Sequence, residues 1–267
     1  MSQNSFQFFR VLFATEPFFL YITRRIVGVA FCENELKIER KLYMSKRKKV
    51  ADTRLFGIDV AHHEGVIDWK KVSAAGVKYA FLKASEASTF KDKRYKFNRA
   101  ECAKNGIPSG GYHFFRPHAP VSNQVNNLVS MVGAMQDGEL PPVLDLEVPE
   151  SWKSLSLRQR LNIVRAWLDG VENALNVKPI IYLSSSFAGD ILGSDKFLAN
   201  YVLWLAHYTR AANPRVPEPW KSSSDKSWTF WQYSETGRVD GITDDLVDLN
   251  RFNGDAAALQ KLLWKSE

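Results

Sequence analysis

The stretch Pro141-Pro142-Val143-Leu144-Asp145-Leu146-Glu147-Val148 carries the strongest indication of both fold and function. Its two prolines cannot continue a helix and suit the first residue of a strand. The Val and Leu residues that follow have β-strand composition, so we predict a strand over residues 143–148. Because residues two apart on a strand point to the same face, Asp145 and Glu147 are expected to lie side by side.

Two neighbouring carboxylates in an apolar strand have a chemical consequence. An ionised group is costly there, and two close acids push their pKa values apart. One site can then hold a protonated acid and a charged carboxylate together. The alternative is that both acids are solvated at a frayed strand end and have no catalytic role.

Composition limits the class of protein. A chain of 267 residues suits one large domain or two small ones. It contains 8 Trp, 9 Tyr and 17 Phe, which fits ring-stacking ligands such as sugars but equally fits a large aromatic core. Its two cysteines, Cys32 and Cys102, provide no disulfide framework and no CxxC metal pattern. We therefore expect the fold to be held by its core.

The net charge of +7 is concentrated at the front of the chain. Residues 1–54 hold 11 Lys/Arg and 5 Asp/Glu, a net charge of +6, whereas residues 55–267 hold 25 and 24, a net charge of +1. The later segment thus has no broad basic signal for nucleic acid, and no nucleic-acid partner is expected.

Residues 1–54 are predicted to be a basic N-terminal extension outside the fold, and residues 55–267 to form the catalytic domain. The apolar residues before Arg40 are interrupted by charges, so neither a signal peptide nor a membrane helix of about 20 residues fits well. Met44 begins Met-Ser-Lys-Arg-Lys-Lys, a plausible translation start. A degenerate membrane anchor is the rival interpretation, and both stay open.

From Leu55 to Leu183, predicted strands alternate with predicted helices, which is typical of parallel βα units, and beyond that point the predicted helices thin out. We predict an α/β fold, a shortened and irregular (β/α) TIM-like barrel with eight strands and about five helices. The predicted strands are 55–61, 78–84, 110–115, 143–148, 179–183, 202–208, 228–233 and 246–250. The predicted helices are 68–75, 92–105, 121–135, 156–175 and 255–264.

A barrel of this kind gathers the carboxyl ends of its strands, and with them the active site, at one face. The predicted catalytic residues are Glu147, Asp145, Asp59 and Asp248, with Asp59 and Asp248 approaching each other across the first and last strands. Carboxylates flanked by aromatic rings suit glycoside hydrolysis, in which one acid protonates the leaving oxygen. The rings predicted to bind substrate are Tyr112, Tyr182, Trp204, Tyr208, Trp231 and Tyr233.

Each of these residues has a structural alternative. Asp59 and Asp248 could accept hydrogen bonds from loop amides and only hold the barrel shut. Tyr112 and Tyr182 could be core rings. Adjacent strand residues such as His62 and His63 face opposite ways, and no HxH or HExxH spacing is present, so no metal site is predicted.

Several motifs carry a resemblance to a known family. Gly57-Ile58-Asp59-Val60-Ala61-His62-His63-Glu64-Gly65 resembles the opening motif of the glycoside hydrolase family 25 muramidases. Two departures are Ala61 in place of the usual Ser and Glu64 in place of a usual Gln or Asn. Further matches follow in the family's order: 111–114, 141–147, 181–182, 204–208, 231–233 and 247–250.

The resemblance implies cleavage of the β-1,4 bond between N-acetylmuramic acid and N-acetylglucosamine in peptidoglycan. It makes Glu147 the general acid/base, with Asp145 assisting and Asp59 and Asp248 completing the site. It leaves open whether a carboxylate or the sugar's acetamido group attacks. The expected partners are peptidoglycan glycan strands, with no cofactor and no metal, and we expect a monomer that is exported, released by lysis or anchored. A chitinase-like N-acetylhexosaminidase and a non-catalytic wall-binding relative are the alternatives.

Overall fold

The computed structural model describes residues 54–222, 227–242 and 246–266. The predicted N-terminal extension, except for Arg54, and the possible start at Met44 lie outside these described residues. Within them, no helix is both long enough and apolar enough to cross a membrane.

Eight strands close into a barrel, as predicted. Their order is β1-β9-β8-β7-β6-β5-β4-β2, and the pairing of β1 with β2 completes the ring. A short ninth strand, β3, pairs with β2 outside the ring. The strands are β1 (Leu55–Val60), β2 (Tyr79–Glu86), β3 (Phe90–Lys91), β4 (Ser109–Phe114), β5 (Val143–Asp145), β6 (Ile180–Ser184), β7 (Val202–Ala206), β8 (Phe230–Gly237) and β9 (Val247–Phe252).

The last strand of the barrel runs against its neighbours. β9 pairs antiparallel with both β8 and β1, whereas the other pairings around the ring are parallel. The connection from Gly237 to Val247 is too short for the crossover of a dozen or more residues that a parallel partner needs. The start of β9 therefore lies at the same rim as the carboxyl ends of the other strands.

Six α-helices lie in the described part of the chain: α1 (Trp69–Ala74), α2 (Tyr95–Lys104), α3 (Val121–Val132), α4 (Leu157–Leu175), α5 (Ser185–Asp190) and α6 (Ala256–Gln260). α1 begins where Asp68 accepts a hydrogen bond from the Lys71 amide. α4 begins with a capping box of Ser156 and Gln159. α5 was not predicted from the sequence.

Several predicted boundaries differ from the structure, and two of the differences have a local reason. The predicted helix from Asp92 begins only at Tyr95, because the Asp92 carboxylate accepts hydrogen bonds from the backbone of His62 and Arg94. α3 ends at Val132 because Gly133 turns the chain with φ +61°. β5 ends at Asp145, three residues earlier than predicted.

Alternation along the strands divides the core into two layers. Residues such as Val143 and Phe230 fill the barrel interior, whereas Leu144 and Trp231, their immediate neighbours, pack outside it. Gly57 has no side chain because the ring of Tyr79 lies across its inner face, where a Cβ would be 2.3 Å from the ring. This alternation decides which side chains face the open rim.

Candidate active site

The carboxylates of Asp145 and Glu147 both line a cleft of about 290 Å³ at the open rim of the barrel. Asp145 is the last residue of β5, and its buried Oδ1 has no hydrogen-bond partner among the described residues. Glu147 lies beyond the strand, where Trp152 Nε1 donates to its carbonyl oxygen at 3.1 Å. The two acids still share one face, as the alternation predicted.

Asp59 and Asp248 enter the same cleft from neighbouring strands. They are directly paired in the register of β1 and β9. Asn250 Nδ2 donates to Asp59 Oδ2 at 2.7 Å, and Gln232 Nε2 donates to both Asp59 oxygens at 3.1 and 3.2 Å. The predicted loop amides are thus replaced by side-chain amides of β8 and β9.

Burial raises the pKa of the Asp59 carboxyl well above its ordinary value, and the negative charge of Asp248 raises it further. Burial also raises the pKa of Asp248, to about 6, with added contributions from the charges of Glu64 and Glu235. A hydrogen bond between Asp59 and Asp248 favours the proton on Asp59. This pair therefore holds a proton at pH values where an ordinary carboxyl has lost it.

The second pair behaves similarly. Burial raises the pKa of Asp145 well above its ordinary value, and the charge of Glu147 adds to the rise. Burial raises the pKa of Glu147 too, while the neighbouring Tyr182 hydroxyl and the charges of Lys83 and Arg116 oppose the rise. Each pair can therefore hold one protonated and one ionised carboxyl at a higher pH than isolated carboxyls would.

Four of the six predicted aromatic residues line the cleft: Tyr112, Tyr182, Trp204 and Tyr208. The hydroxyls of Tyr182 and Tyr208 both donate to Gln232 Oε1, at 2.7 and 2.8 Å. Trp204 is stacked on Phe81 inside the barrel with a centroid separation of 4.1 Å, and its ring is almost fully buried. Tyr208 is the ring open to solvent, with 50% of its surface exposed.

Trp231 and Tyr233 are not part of the cleft, which corrects the prediction that they bind substrate. Both point outward from β8, the opposite way to Phe230 and Gln232. Trp231 is fully buried, and its Nε1 donates to the carbonyl oxygen of His207 at 2.7 Å. Their role is to pack the outer layer of the barrel.

Three charged residues that the sequence did not single out, Lys83, Glu86 and Arg116, are paired with one another beside the site. Lys83 lines the cleft, and its Nζ lies 2.8 Å from Glu86 Oε2. Arg116 donates to Glu86 Oε1 from Nε at 2.9 Å and from a terminal nitrogen at 2.6 Å. Both cations also lie over the ring of Phe114, at 4.9 and 4.4 Å from its centroid. Lys83 is thereby held as a fixed positive charge beside the acids.

His62 and His63 have different surroundings at the edge of the site. His62 Nδ1 lies 2.8 Å from Asp92 Oδ2, and His63 lines the cleft. Among the described residues, no group of three or more His, Cys, Asp or Glu side chains is arranged to hold a metal ion. His113 is buried between Ser85 and Gln124, and burial lowers its pKa to about 4, so it is neutral and structural.

Comparison with known proteins gives one consistent family. The family model for glycosyl hydrolases family 25 matches residues 58–242. The chain is 37% identical to Lysozyme M1 of Streptomyces globisporus over 217 residues, covering 77% of this chain and 70% of that protein. It is 27% identical to an N,O-diacetylmuramidase of Arthroderma benhamiae over 215 residues, covering 77% and 85%.

Comparison with solved structures also leads to a lysozyme. The crystal structure of a bacterial lysozyme from Streptomyces coelicolor superposes with a TM-score of 0.72 at 35% sequence identity. The superposition covers 79% of this chain and 97% of that one. From the match over residues 58–242 and the identity to these lysozymes, the chain belongs to glycosyl hydrolases family 25.

Proposed function

We propose that this protein is a peptidoglycan hydrolase, a lysozyme that cleaves the β-1,4 bond between N-acetylmuramic acid and N-acetylglucosamine, with Glu147 as its general acid. The observation that carries the proposal is the meeting of Asp59, Asp145, Glu147 and Asp248 in one cleft of a family 25 barrel. Both the lysozyme and the diacetylmuramidase relatives support the same substrate.

Glu147 is suited to donate a proton to the leaving oxygen. Its side chain is the more exposed member of its pair, whereas Asp145 is 5% exposed. Burial raises the pKa of Glu147, so it keeps its proton to a higher pH than an ordinary glutamate does. A general acid must reach the glycosidic oxygen, and Glu147 combines access to the cleft with a retained proton.

Asp145 lies deeper in the cleft than Glu147 and assists catalysis from that position. Loss of the leaving group gives the sugar oxocarbenium character, which nearby carboxylates stabilise. Asp145, Asp59 and Asp248 supply those carboxyl groups, and the amides of Gln232 and Asn250 fix Asp59 in place. The attacking group is either a carboxylate of this set or the sugar's own acetamido oxygen.

Mass spectrometry of peptidoglycan digested by the purified protein tests this function. We expect fragments with N-acetylmuramic acid at the reducing end, and release slowed by about 10² to 10⁴ in Glu147→Gln. Glu150→Gln is the matched control, because Glu150 is a nearby exposed acid that pairs with Lys153 on the surface. Fragments ending in N-acetylglucosamine would refute the bond assignment.

Cleavage of soluble chitin oligomers distinguishes the proposed lysozyme from the chitinase-like alternative. We expect slow or no cleavage of chitin beside rapid cleavage of peptidoglycan. Equal rates on the two polymers would favour a general N-acetylhexosaminidase, and binding of wall without any cleavage would favour a non-catalytic relative.

A further inference from the structure

A second cavity of about 940 Å³ opens beside the catalytic cleft and is continuous with it. We call it the side groove. It shares Glu147, Tyr182 and Tyr208 with the cleft, so a substituent on a sugar held at Glu147 can enter it directly. One wall is the start of α5, and the other is the segment between β7 and β8 around Arg215.

Arg215 is anchored by its backbone, while its side chain is exposed. The Arg215 amide donates to His207 Nδ1 at 3.0 Å, and its carbonyl oxygen accepts from Ser185 Oγ at 2.6 Å across the groove. His207 is itself fixed, since its carbonyl oxygen accepts from Trp231 Nε1. None of the described residues pairs with the Arg215 guanidinium, so a rigid backbone presents an unpaired cation to the groove.

The lining of the side groove does not suit a further sugar. Sugar subsites present exposed aromatic faces, but apart from the rings shared with the cleft the described lining holds only Phe187, which is 3% exposed. Instead the wall carries consecutive hydroxyls at Ser184, Ser185 and Ser186, next to the apolar Val148 and Val216. Hydroxyls beside small apolar surfaces suit a peptide.

The charges of the groove are of both signs. Arg215 and Lys221 lie among its lining residues together with Asp190 and Glu218. The Glu218 carboxylate is engaged, because it accepts from the Ser222 amide at 3.1 Å and from Ser222 Oγ at 2.8 Å. Arg215, Lys221 and Asp190 have no ion-pair partner among the described residues. The groove therefore carries two cations, Arg215 and Lys221, and two carboxylates, of which Asp190 has both oxygens free of an ion pair with any described residue and Glu218 is held by Ser222.

We infer that the side groove binds the peptide stem carried by the lactyl group of N-acetylmuramic acid at the cleaved bond. Such a stem bears carboxylates and, on its diamino acid, an amine. Arg215 and Lys221 engage the carboxylates, and Asp190 engages the amine. The inference rests on the proposed function and makes the groove a determinant of substrate choice between stem-bearing and bare glycan.

The test compares two soluble substrates: uncross-linked glycan strands with their stems, and the same strands stripped of stems by an amidase. Wild-type protein is expected to show a higher kcat/KM on the stem-bearing strands. Arg215→Gln should lose about 5- to 20-fold in kcat/KM on those strands, the loss expected for one partly solvated charge-assisted hydrogen bond. It should cleave stripped strands as well as wild type does.

Lys221→Gln should show the same dependence on the stem, and Arg158→Gln is the matched control, since Arg158 is exposed and outside both cavities. Equal losses of kcat/KM on both substrates, or no loss on either, would overturn the inference about the side groove. Neither result would contradict the proposed lysozyme function, because the wild-type protein would still cleave the glycan. Failure of wild-type protein to cleave either substrate would instead contradict the proposed function.

Discussion

Asp59 lies directly opposite Asp248 in the antiparallel pairing of β1 and β9. The reversed direction of β9 brings this about, because Asp248 is the second residue of its strand and Asp59 the last but one of its own. Two buried carboxyls side by side cannot both ionise freely. The two strands that close the barrel therefore bring together a pair of acids that retains a proton. Ionisation of this pair lowers the free energy of unfolding, which can be measured.

Replacing Asp248 with Asn should stabilise the folded protein at pH 7. The folded pKa of Asp248 is about 6, above its ordinary value of 3.8. A raised carboxyl pKa contributes stability that is fully present below pH 3.8 and is lost as pH rises through about 6. The neutral amide removes that loss, so we expect a gain of up to about 2 kcal/mol at pH 7 and little change at pH 3.5.

Denaturant unfolding at the two pH values measures this gain, with Asp169→Asn on the exposed face of α4 as the surface control. Activity should fall in the same variant. A stability gain of equal size at both pH values would show that ionisation is not its source.

Replacing Glu147 with Gln should lower the rate by about 10² to 10⁴, the usual contribution of a general acid. Shape and hydrogen bonding are kept, and Tyr208 and the other cleft rings remain, so binding of wall fragments should survive. Turnover and equilibrium binding of one soluble fragment measure the two effects. A variant that keeps most of its turnover would show that another group donates the proton.

Sequence patterns located the four acids because alternation along a strand is a local property. Asp145 and Glu147 both line the cleft although β5 ends at Asp145, and Asp59 and Asp248 follow from closure of the barrel. The order of strands follows from the alternation of strand and helix. What these patterns could not supply was which face of each strand points inward.

The error at Trp231 and Tyr233 illustrates this limit. Barrel strands are buried on both faces, so rings on either face look alike in sequence. The signal lay in the residue between them, since Gln232 is a polar residue within an apolar strand and faces the cleft. Asn250 gives the same signal in β9. The contact of Glu86, at the end of β2, with Arg116, which follows β4, joins segments 30 residues apart, and no local pattern predicts it.

The domain boundary proposed from the sequence can be sharpened by Arg54. Its guanidinium donates to Asn213 Oδ1 at 3.1 Å and to the Ala212 carbonyl oxygen at 2.9 Å, and lies 5.4 Å from the Trp228 ring. We expect a chain starting at Met44 to fold and act alone. A chain starting at Leu55 should have a lower Tm, because it loses these contacts. Thermal unfolding of both chains tests this, and loss of all activity in the longer one would refute the boundary.

Replacing Lys83 with Met should raise the pKa values of both Asp145 and Glu147, because the positive charge of Lys83 lowers them. Without it each anion is harder to form, so the alkaline limb of the pH–rate profile should move to higher pH. The profile of kcat/KM measures the shift. Lys83→Arg keeps the charge and should leave the limb close to the wild-type position. A limb that moves to lower pH with Met would contradict the placement of this cation.

Replacing Asp145 with Asn should move the alkaline limb of the pH–rate profile to lower pH, opposite to the shift expected for Lys83→Met. The charge of Glu147 raises the pKa of Asp145, and an interaction between two charges acts on both partners. The two acids therefore titrate as a coupled pair. The higher of its two apparent pKa values lies above the pKa that either acid would have alone. With Asn at position 145, Glu147 titrates without the negative charge of its neighbouring carboxylate, and its anion forms more easily. As pH rises, the activity of the variant should therefore begin to fall at a lower pH than the activity of the wild type does.

The two variants together test the coupling more strictly than either does alone. Burial raises the pKa of Glu147 whether or not Asp145 is charged, so burial by itself predicts no movement of the limb with Asn. Coupling predicts a downward movement with Asn and an upward one with Met at position 83, measured as kcat/KM on one soluble fragment. An unmoved limb in Asp145→Asn would mean that burial alone keeps the proton on Glu147. Opposite shifts in the two variants would show that the charges of Asp145 and Lys83 both act on the acid that protonates the leaving oxygen.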